Sequence, residues 1–334
     1  MAEPLARFGD LLATGLLDVT HDPAALDTSG WWAVVLTYEG ELTAARFEQV
    51  QRGSLPTAEW HGLARDAWAS SMSREQYVAA VEATREAIAA GTVYQTNICR
   101  VLSAEREGRD LLGLAGLLER EHPAPHSGVV RLPDAGVEVA SASPELFLRR
   151  DGQRIESSPI KGTGRSSEDL LDKDTAENVM IVDLVRNDVG RVARSGSVTV
   201  PSLLRHEAHP GLVHLVSTVA ADLRDDVGWA DILAATFPPG SVTGAPKHTA
   251  RQLIDALETA PRGPYCGAVG WIDADAGRAE LAVGIRTFWA DADQVRFGTG
   301  AGITWGSDPD REWDETELKA DRLLGVAAHG APLG

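Results

Sequence analysis

Cysteine is almost missing from this sequence: 334 residues carry two, Cys99 and Cys266. That excludes a disulfide framework and a cysteine-rich metal site, and each thiol reads as a small buried side chain rather than a nucleophile. Long apolar runs are also missing. No stretch approaches the ~18 consecutive apolar residues of a spanning helix, and the opening MAEPLARFGDLLATG has no basic start followed by an apolar core. The cytoplasm is the expected compartment. Positive charge is scarce, with 31 Lys and Arg against 49 Asp and Glu and a net charge of -18. Such a surface repels phosphate backbones and anionic lipid, which argues against nucleic-acid and membrane partners. An anionic substrate would have to meet a local cation. Low-complexity tracts and solenoid-period repeats are absent, and 43% hydrophobic with 24% charged residues is ordinary globular composition, so disorder is expected only at the two ends.

What is present is a chain longer than one small core usually serves, so two domains or one two-lobed body are expected. Up to about residue 70 the pattern is irregular, apart from a strand in WWAVVLTYEG from Trp31. From Ser73 the signals sharpen. Ser73 and Gln76 form a capping box, Tyr77, Ala80, Val81 and Ile88 share a helical face, and Gly91 supplies the stop. The β-branched TVYQTNICRVLSA reads as a strand, as do VEVASASPELFLRRD and QRIESSPIKGT. DTAENVMIVDLVRNDVG is apolar nearly all round between Val179 and Val185, predicting a helix buried on most sides and ended by Gly190. A second helix is expected at GAPKHTARQLIDALE, with Pro246 in its first turn and Ala250, Leu253, Ile254 and Leu257 inward. GAVGWID, AELAVGIRTFWA and QVRFGTGAGIT then read as three strands joined by short turns, hence antiparallel. Without regular βαβ alternation, the fold class is an antiparallel α+β body.

The polar residues that interrupt this pattern are the candidates for chemistry. Asp174 and Glu177, and again Glu312 and Glu315 with Lys319 one turn on, lie three apart on helical segments, so each pair shares a face. Hard oxygen donors without nearby histidine or cysteine suit Mg²⁺; equally, they are acids that complement helix starts. Glycines 298, 300 and 302 in GTGAGIT either offer backbone N–H groups to an anion or let a strand bend. Arg286, among apolar residues of a strand, needs a partner, for which a ligand carboxylate is one candidate. Lys161, in ESSPIKGTGR, is either a surface charge or an amine aimed at something small that the neighbouring glycines admit.

SASPELF, PIKGTGR, AENVMIVDLVRNDVG, HLVSTV, FPPGSVTGAPK, RGPYCGAVGW, GIRT, GTGAGIT and DETELKAD occur in that order. Together they resemble the chorismate-utilising enzymes: anthranilate synthase component I, aminodeoxychorismate synthase component I, isochorismate synthase and salicylate synthase. The resemblance runs from about Ser73 to Leu324. It implies two large antiparallel sheets packed face to face with helices outside, a catalytic domain over 73–326, a shortened segment over 1–72 contributing strands to the body, and a tail over 327–334. It also implies Mg²⁺ held at Glu177, Glu312 and Glu315 with Asp174 beside them. Tyr265, Arg286, Gly300, Gly302 and Lys319 would grip substrate carboxylates, while Gly162, Thr163, His214 and Ser241 line the ring. The tryptophan pocket of the family's N-terminal part cannot be placed on this chain.

Two positions divide the family. Isochorismate and salicylate synthases place a lysine, the base for an attacking water, where this chain has Gln95, and a glutamine cannot take that proton at neutral pH. Anthranilate synthases usually read PIAGT where this chain reads PIKGT, a form common in aminodeoxychorismate synthases. By this resemblance Lys161 is a covalent nucleophile for C2 of chorismate and Glu145 the acid that protonates the departing C4 hydroxyl. The implied product is 4-amino-4-deoxychorismate, precursor of 4-aminobenzoate. No glutaminase signature is evident, so ammonia is expected from a separate glutamine amidotransferase subunit. Anthranilate synthase, isochorismate synthase and a non-catalytic relative are the rival readings.

Overall fold

The computed structural model describes residues 3–164, 172–209 and 212–329. The chain opens with β1 (Leu5–Phe8), β2 (Leu11–Thr20), β3 (Trp31–Leu36), β4 (Leu42–Arg52) and the two-residue β5 (Ala69–Ser70). Every residue of β3 is buried, because this strand is covered on both faces. Helix α1 (Arg74–Ala89) begins at the capping box read from the sequence. The Gln76 amide donates to Ser73 Oγ at 3.3 Å, and the Ser73 amide to Gln76 Oε1 at 2.8 Å. Then come β6 (Gln95–Glu105), α2 (Leu111–Glu121), β7 (His126–Leu132), β8 (Val137–Ser143), β9 (Leu146–Asp151), β10 (Arg154–Ser158) and β11 (Ile160–Gly164).

Helix α3 (Asp172–Gly190) ends at its glycine as expected, but it is not buried all round. Ile181, Val182, Val185 and Val189 turn into the core, while Val179 is 40% exposed. The apolar run is thus a wide stripe with one hydrophobic residue left outside. Strands β12 (Thr199–His209) and β13 (Leu212–Asp222) precede α4 (Trp229–Thr236) and the two-residue β14 (Gly244–Ala245). Helix α5 (Lys247–Leu257) has Pro246 at its N-cap rather than inside the first turn, and it buries Ala250 and Ile254. The chain closes with β15 (Ala268–Asp273), β16 (Arg278–Val283), β17 (Thr287–Ala290), β18 (Gln294–Ile303) and α6 (Pro309–Ala327). AELAVGIRTFWA, expected as one strand, is two. Arg286 lies in the break between them with φ +52, a left-handed backbone that cannot continue a ladder.

All strand pairings are antiparallel. Followed by hydrogen bonds, the order is β12-β13-β10-β9-β16-β15-β3-β4-β2-β1-β7-β8-β17-β18-β6. β11 pairs with β13 at one end, and β5 and β14 pair with β6 at the other. The fold is therefore an α+β body around one large antiparallel sheet. β1–β4 are integral to the middle of that sheet.

The sheet curls until its ends meet. β11 belongs to the first end of the order and β6 to the last, yet a methyl group placed on Gly302 of β18 would touch side chains of both. The largest core cluster takes residues from β3, β4, β13, β15, β16 and α3. A second lies under α2 and α6, where Phe288 and Phe297 are 4.7 Å apart between ring centres.

Close strand approach demands glycine in β15: a Cβ on Gly270 would run into the Glu280 carbonyl of β16, which has no room to move. Gly270→Ala should destabilise the fold by about 2 kcal/mol, the usual size of an overpacking penalty. Equilibrium denaturation checks this, and an unchanged midpoint would contradict the packing described.

Candidate active site

Glu145 and Lys161 are sixteen residues apart in sequence but do not lie on one extended segment. The chain leaves Glu145 along β9, turns, returns along β10 and, past Pro159, continues as β11 against the same partner β13. The corner that carries Glu145 is pinned from two sides. The Val283 amide donates to the Glu145 carbonyl at 3.0 Å, and Ser143 Oγ donates to the Val283 carbonyl at 2.6 Å. Glu145 is 4% exposed. Burial pushes its carboxyl up to about 7, against the opposing pull of a hydrogen bond from Ser241 and the charges of Lys161 and Arg286.

Lys161 shows the complementary shift. Burial of the amine drives its pKa below the ordinary lysine value; the negative charges of Glu177 and Glu145 oppose the shift, and the neighbouring ammonium of Lys319 adds to it. Both groups are thereby moved toward their neutral forms, which is how low-dielectric sites prepare an acid and a nucleophile. Lys161 Nζ would lie 3.4 Å from a Cβ on Gly302, Gln95 Nε2 2.6 Å and Asn97 Oδ1 3.1 Å. Any side chain at 302 would fill the space in front of the lysine. Gln95 is 1% exposed, and its Oε1 accepts from no described group.

The remaining candidates surround this centre unevenly. Gly162 has φ +83, which lets β11 bend beside Lys161. The backbone of Thr163 pairs with His214, which is buried on β13; the Thr163 side chain lies outside the described residues. Ser241, on a short 3₁₀ turn, is buried at the Glu145 carboxyl. Lys319 of α6 bonds the Gly300 carbonyl at 3.1 Å and Glu315 at 2.7 Å. Tyr265 instead packs its ring on Gly298 and is buried beneath β18. Arg286 reaches the site from the strand break and is bonded to His122.

Glu312 is 4% exposed, Asp174 and Glu177 are half-buried and Glu315 is exposed. Glu177 and Glu315 both act on the Lys161 amine. Among the described residues no three acidic, histidine or cysteine side chains are drawn into one cluster that could hold a metal. Their chemistry still suits Mg²⁺, which usually takes one or two carboxylates and fills its other positions with water and an anionic ligand.

Four further residues take part that the sequence did not single out. Arg262, 1% exposed, bonds both oxygens of Glu258, the Val242 carbonyl at 2.9 Å and the Asn97 carbonyl at 3.0 Å. It thus ties the Ser241 turn to β6. Lys247 and Asp188 form a buried ion pair of 2.6 Å behind the same turn. His122 meets Arg286 from the end of α2. Lys247, Asp188 and His122 stand outside any spacing rule because their partners are remote in sequence; Arg262 has an i, i+4 partner in Glu258, but the carbonyls it joins lie 20 and 165 residues away.

With this geometry established, comparison with known proteins is informative. The family described as chorismate binding enzyme matches residues 34–325. The chain is 40% identical over 267 residues to anthranilate synthase component 1 1 of Haloarcula marismortui, covering 76% of this chain and 54% of that protein. It is 36% identical over 338 aligned positions to aminodeoxychorismate synthase component 1 of Salmonella typhimurium, covering 95% and 73%. The crystal structure of anthranilate synthase component I from Streptococcus pneumoniae superposes with a TM-score of 0.81 at 22% identity over 95% of this chain and 92% of that one, a likeness of fold. No helix among the described residues is long and apolar enough to cross a membrane.

The Glu145 shift has a stability consequence. A folded-state pKa of about 7, above the ordinary 4.5, means that the folded protein binds this proton more tightly than the unfolded chain. Stability from the group is full below about 4.5 and is lost as pH rises to about 7. Glu145→Gln cannot ionise, so its stability relative to wild type should rise across that window by about 3 kcal/mol. Denaturation at several pH values checks it; a pH-independent difference would contradict the buried carboxyl.

Proposed function

The chain belongs to the chorismate-binding enzymes, and from that premise we propose that it is an aminodeoxychorismate synthase component I, replacing the C4 hydroxyl of chorismate with an amino group. The observation that carries this reading is the pairing of Lys161, its amine shifted toward neutrality, with Glu145, its carboxyl shifted toward protonation. A free lysine near pH 7 is about one part in a thousand neutral, so a nucleophilic lysine needs such a site.

In the proposed reaction the Lys161 amine forms a bond to C2, both double bonds of the ring diene shift round the ring away from C2, and the C4–O bond breaks. The hydroxyl leaves as water with the Glu145 proton, and the proton shed by the lysine nitrogen restores Glu145. Ammonia then bonds to C4, both double bonds shift back, and the C2–N bond to Lys161 breaks as the nitrogen regains a proton from the incoming ammonia. The sum is chorismate plus ammonia to 4-amino-4-deoxychorismate plus water. Mg²⁺, which Glu177, Glu312 and Glu315 would hold, would neutralise a substrate carboxylate when bound. Arg286 and Lys319 would take carboxylate charge from the protein side. Buried Gln95 offers no base for water at C2, which sets this chemistry apart from isochorismate formation. Ammonia would come from a glutamine amidotransferase subunit, and the product would serve 4-aminobenzoate and folate synthesis.

A second reading, anthranilate synthesis, is favoured by the 40% identity to a relative of that name. The two part at the product. Purified protein given chorismate, Mg²⁺ and ¹⁵N-ammonium should yield a labelled product that keeps the enolpyruvyl group, detected by mass, with no pyruvate released. Release of pyruvate together with a fluorescent labelled aromatic acid would establish anthranilate synthesis instead. Glutamine should not replace ammonium for this chain alone.

A further inference from the structure

Resting on the reading that Arg286 takes a carboxylate of the substrate, we propose that His122 is a positioning residue that aims the Arg286 guanidinium into the pocket. His122 is the C-cap of α2, its amide bonded to the Leu118 carbonyl at 2.8 Å, so its main chain is held by the end of a packed helix. It is 7% exposed, and Nε2 stands 3.3 Å from Arg286 Nη1. A guanidinium has no acceptor, so this bond requires Nε2 to accept and the ring proton to sit on Nδ1. The imidazole is therefore neutral. Burial and the charges of Arg286 and Arg322 hold its pKa down to about 4, so the acceptor persists at any working pH.

Nδ1 has no bonded partner among the described residues. His122, Ser127 and Ser141 share the wall of a cavity of about 20 Å³, a volume that holds one water. The main chain of Arg286 is held separately: its carbonyl accepts from the Ala142 amide at 3.0 Å, at a left-handed φ of +52. β8 thus fixes where the residue starts and His122 fixes where it points. Because the acceptor is neutral, one N–H is used while the positive charge stays available to an anion. A carboxylate in place of His122 would neutralise that charge and compete with the substrate.

The test is chorismate binding by equilibrium dialysis and steady-state KM and kcat, with thermal melting, for the wild type, His122→Leu and His122→Gln. Leucine removes the acceptor and should raise Kd and KM for chorismate about tenfold with kcat changed less than about threefold, the size expected for one charged hydrogen bond. Glutamine restores an acceptor and should return both to within about threefold of wild type. If the leucine variant does not fold, His122→Ala is read the same way. Unchanged affinity in the acceptor-free variant, or equal weakening in the glutamine variant at an unchanged melting temperature, overturns the positioning role. Wild type that binds no chorismate overturns the reading of the site itself, which is a different outcome.

Discussion

Everything around the site answers to one electrostatic constraint: the Lys161 amine and the Glu145 carboxyl have been taken out of water where the two ends of a curled sheet meet. Desolvation penalises both ionised forms, raising Glu145 and lowering Lys161. Their mutual attraction works the other way and does not prevail. The site therefore holds its charges loosely, and a ligand that brings carboxylates and a leaving hydroxyl finds groups already prepared to exchange protons. Such an arrangement opposes stability, and the surrounding scaffold has to offset it.

The scaffold does so with rigid, fully bonded polar joints. Arg262 and Glu258 are both nearly inaccessible, and between them they bond the Val242 and Asn97 carbonyls and the Cys99 amide. Losing either partner would strand a buried charge, at a cost of about 3–5 kcal/mol. Tyr38 stacks on the guanidinium, its ring 4.2 Å from the central carbon. The pair fixes the turn that carries Ser241 against the strand that carries Gln95. On the opposite wall, Ser143 and Val283 hold the Glu145 corner, and the same crossing of strands presents Arg286. Distance from the pocket does not make these residues incidental, since a site with shifted pKa values depends on atoms held to fractions of an ångström.

Local signals were legible in the sequence where the physics is local. The Ser73–Gln76 box, the Gly190 stop and the strand at Trp31 all read correctly because each is decided within a few residues. The ordered motifs likewise identified the class of fold. The break at Arg286 was not legible: Gly284-Ile285-Arg286 looks like uninterrupted strand, and only the Ala142 amide, far away in sequence, bonds the Arg286 carbonyl and fixes the turn. Nor was the exposed Val179 on α3, since periodicity cannot say how wide a stripe its partner covers. His122 and Asp188 stayed hidden because their partners are distant in sequence. A side chain that matters by touching something more than fifty residues away leaves no spacing to read.

The central claim is that Lys161 is an aimed nucleophile rather than a passing charge. The most direct measurement is mass spectrometry of the protein quenched during turnover of chorismate with ammonium and Mg²⁺, followed by peptide mapping. The account predicts a substrate-derived adduct on the peptide containing Lys161, absent without chorismate, with Lys161→Ala giving no adduct, a lower rate and a changed product mixture. Turnover without any adduct in the wild type, together with an unaltered rate and product in Lys161→Ala, would contradict it.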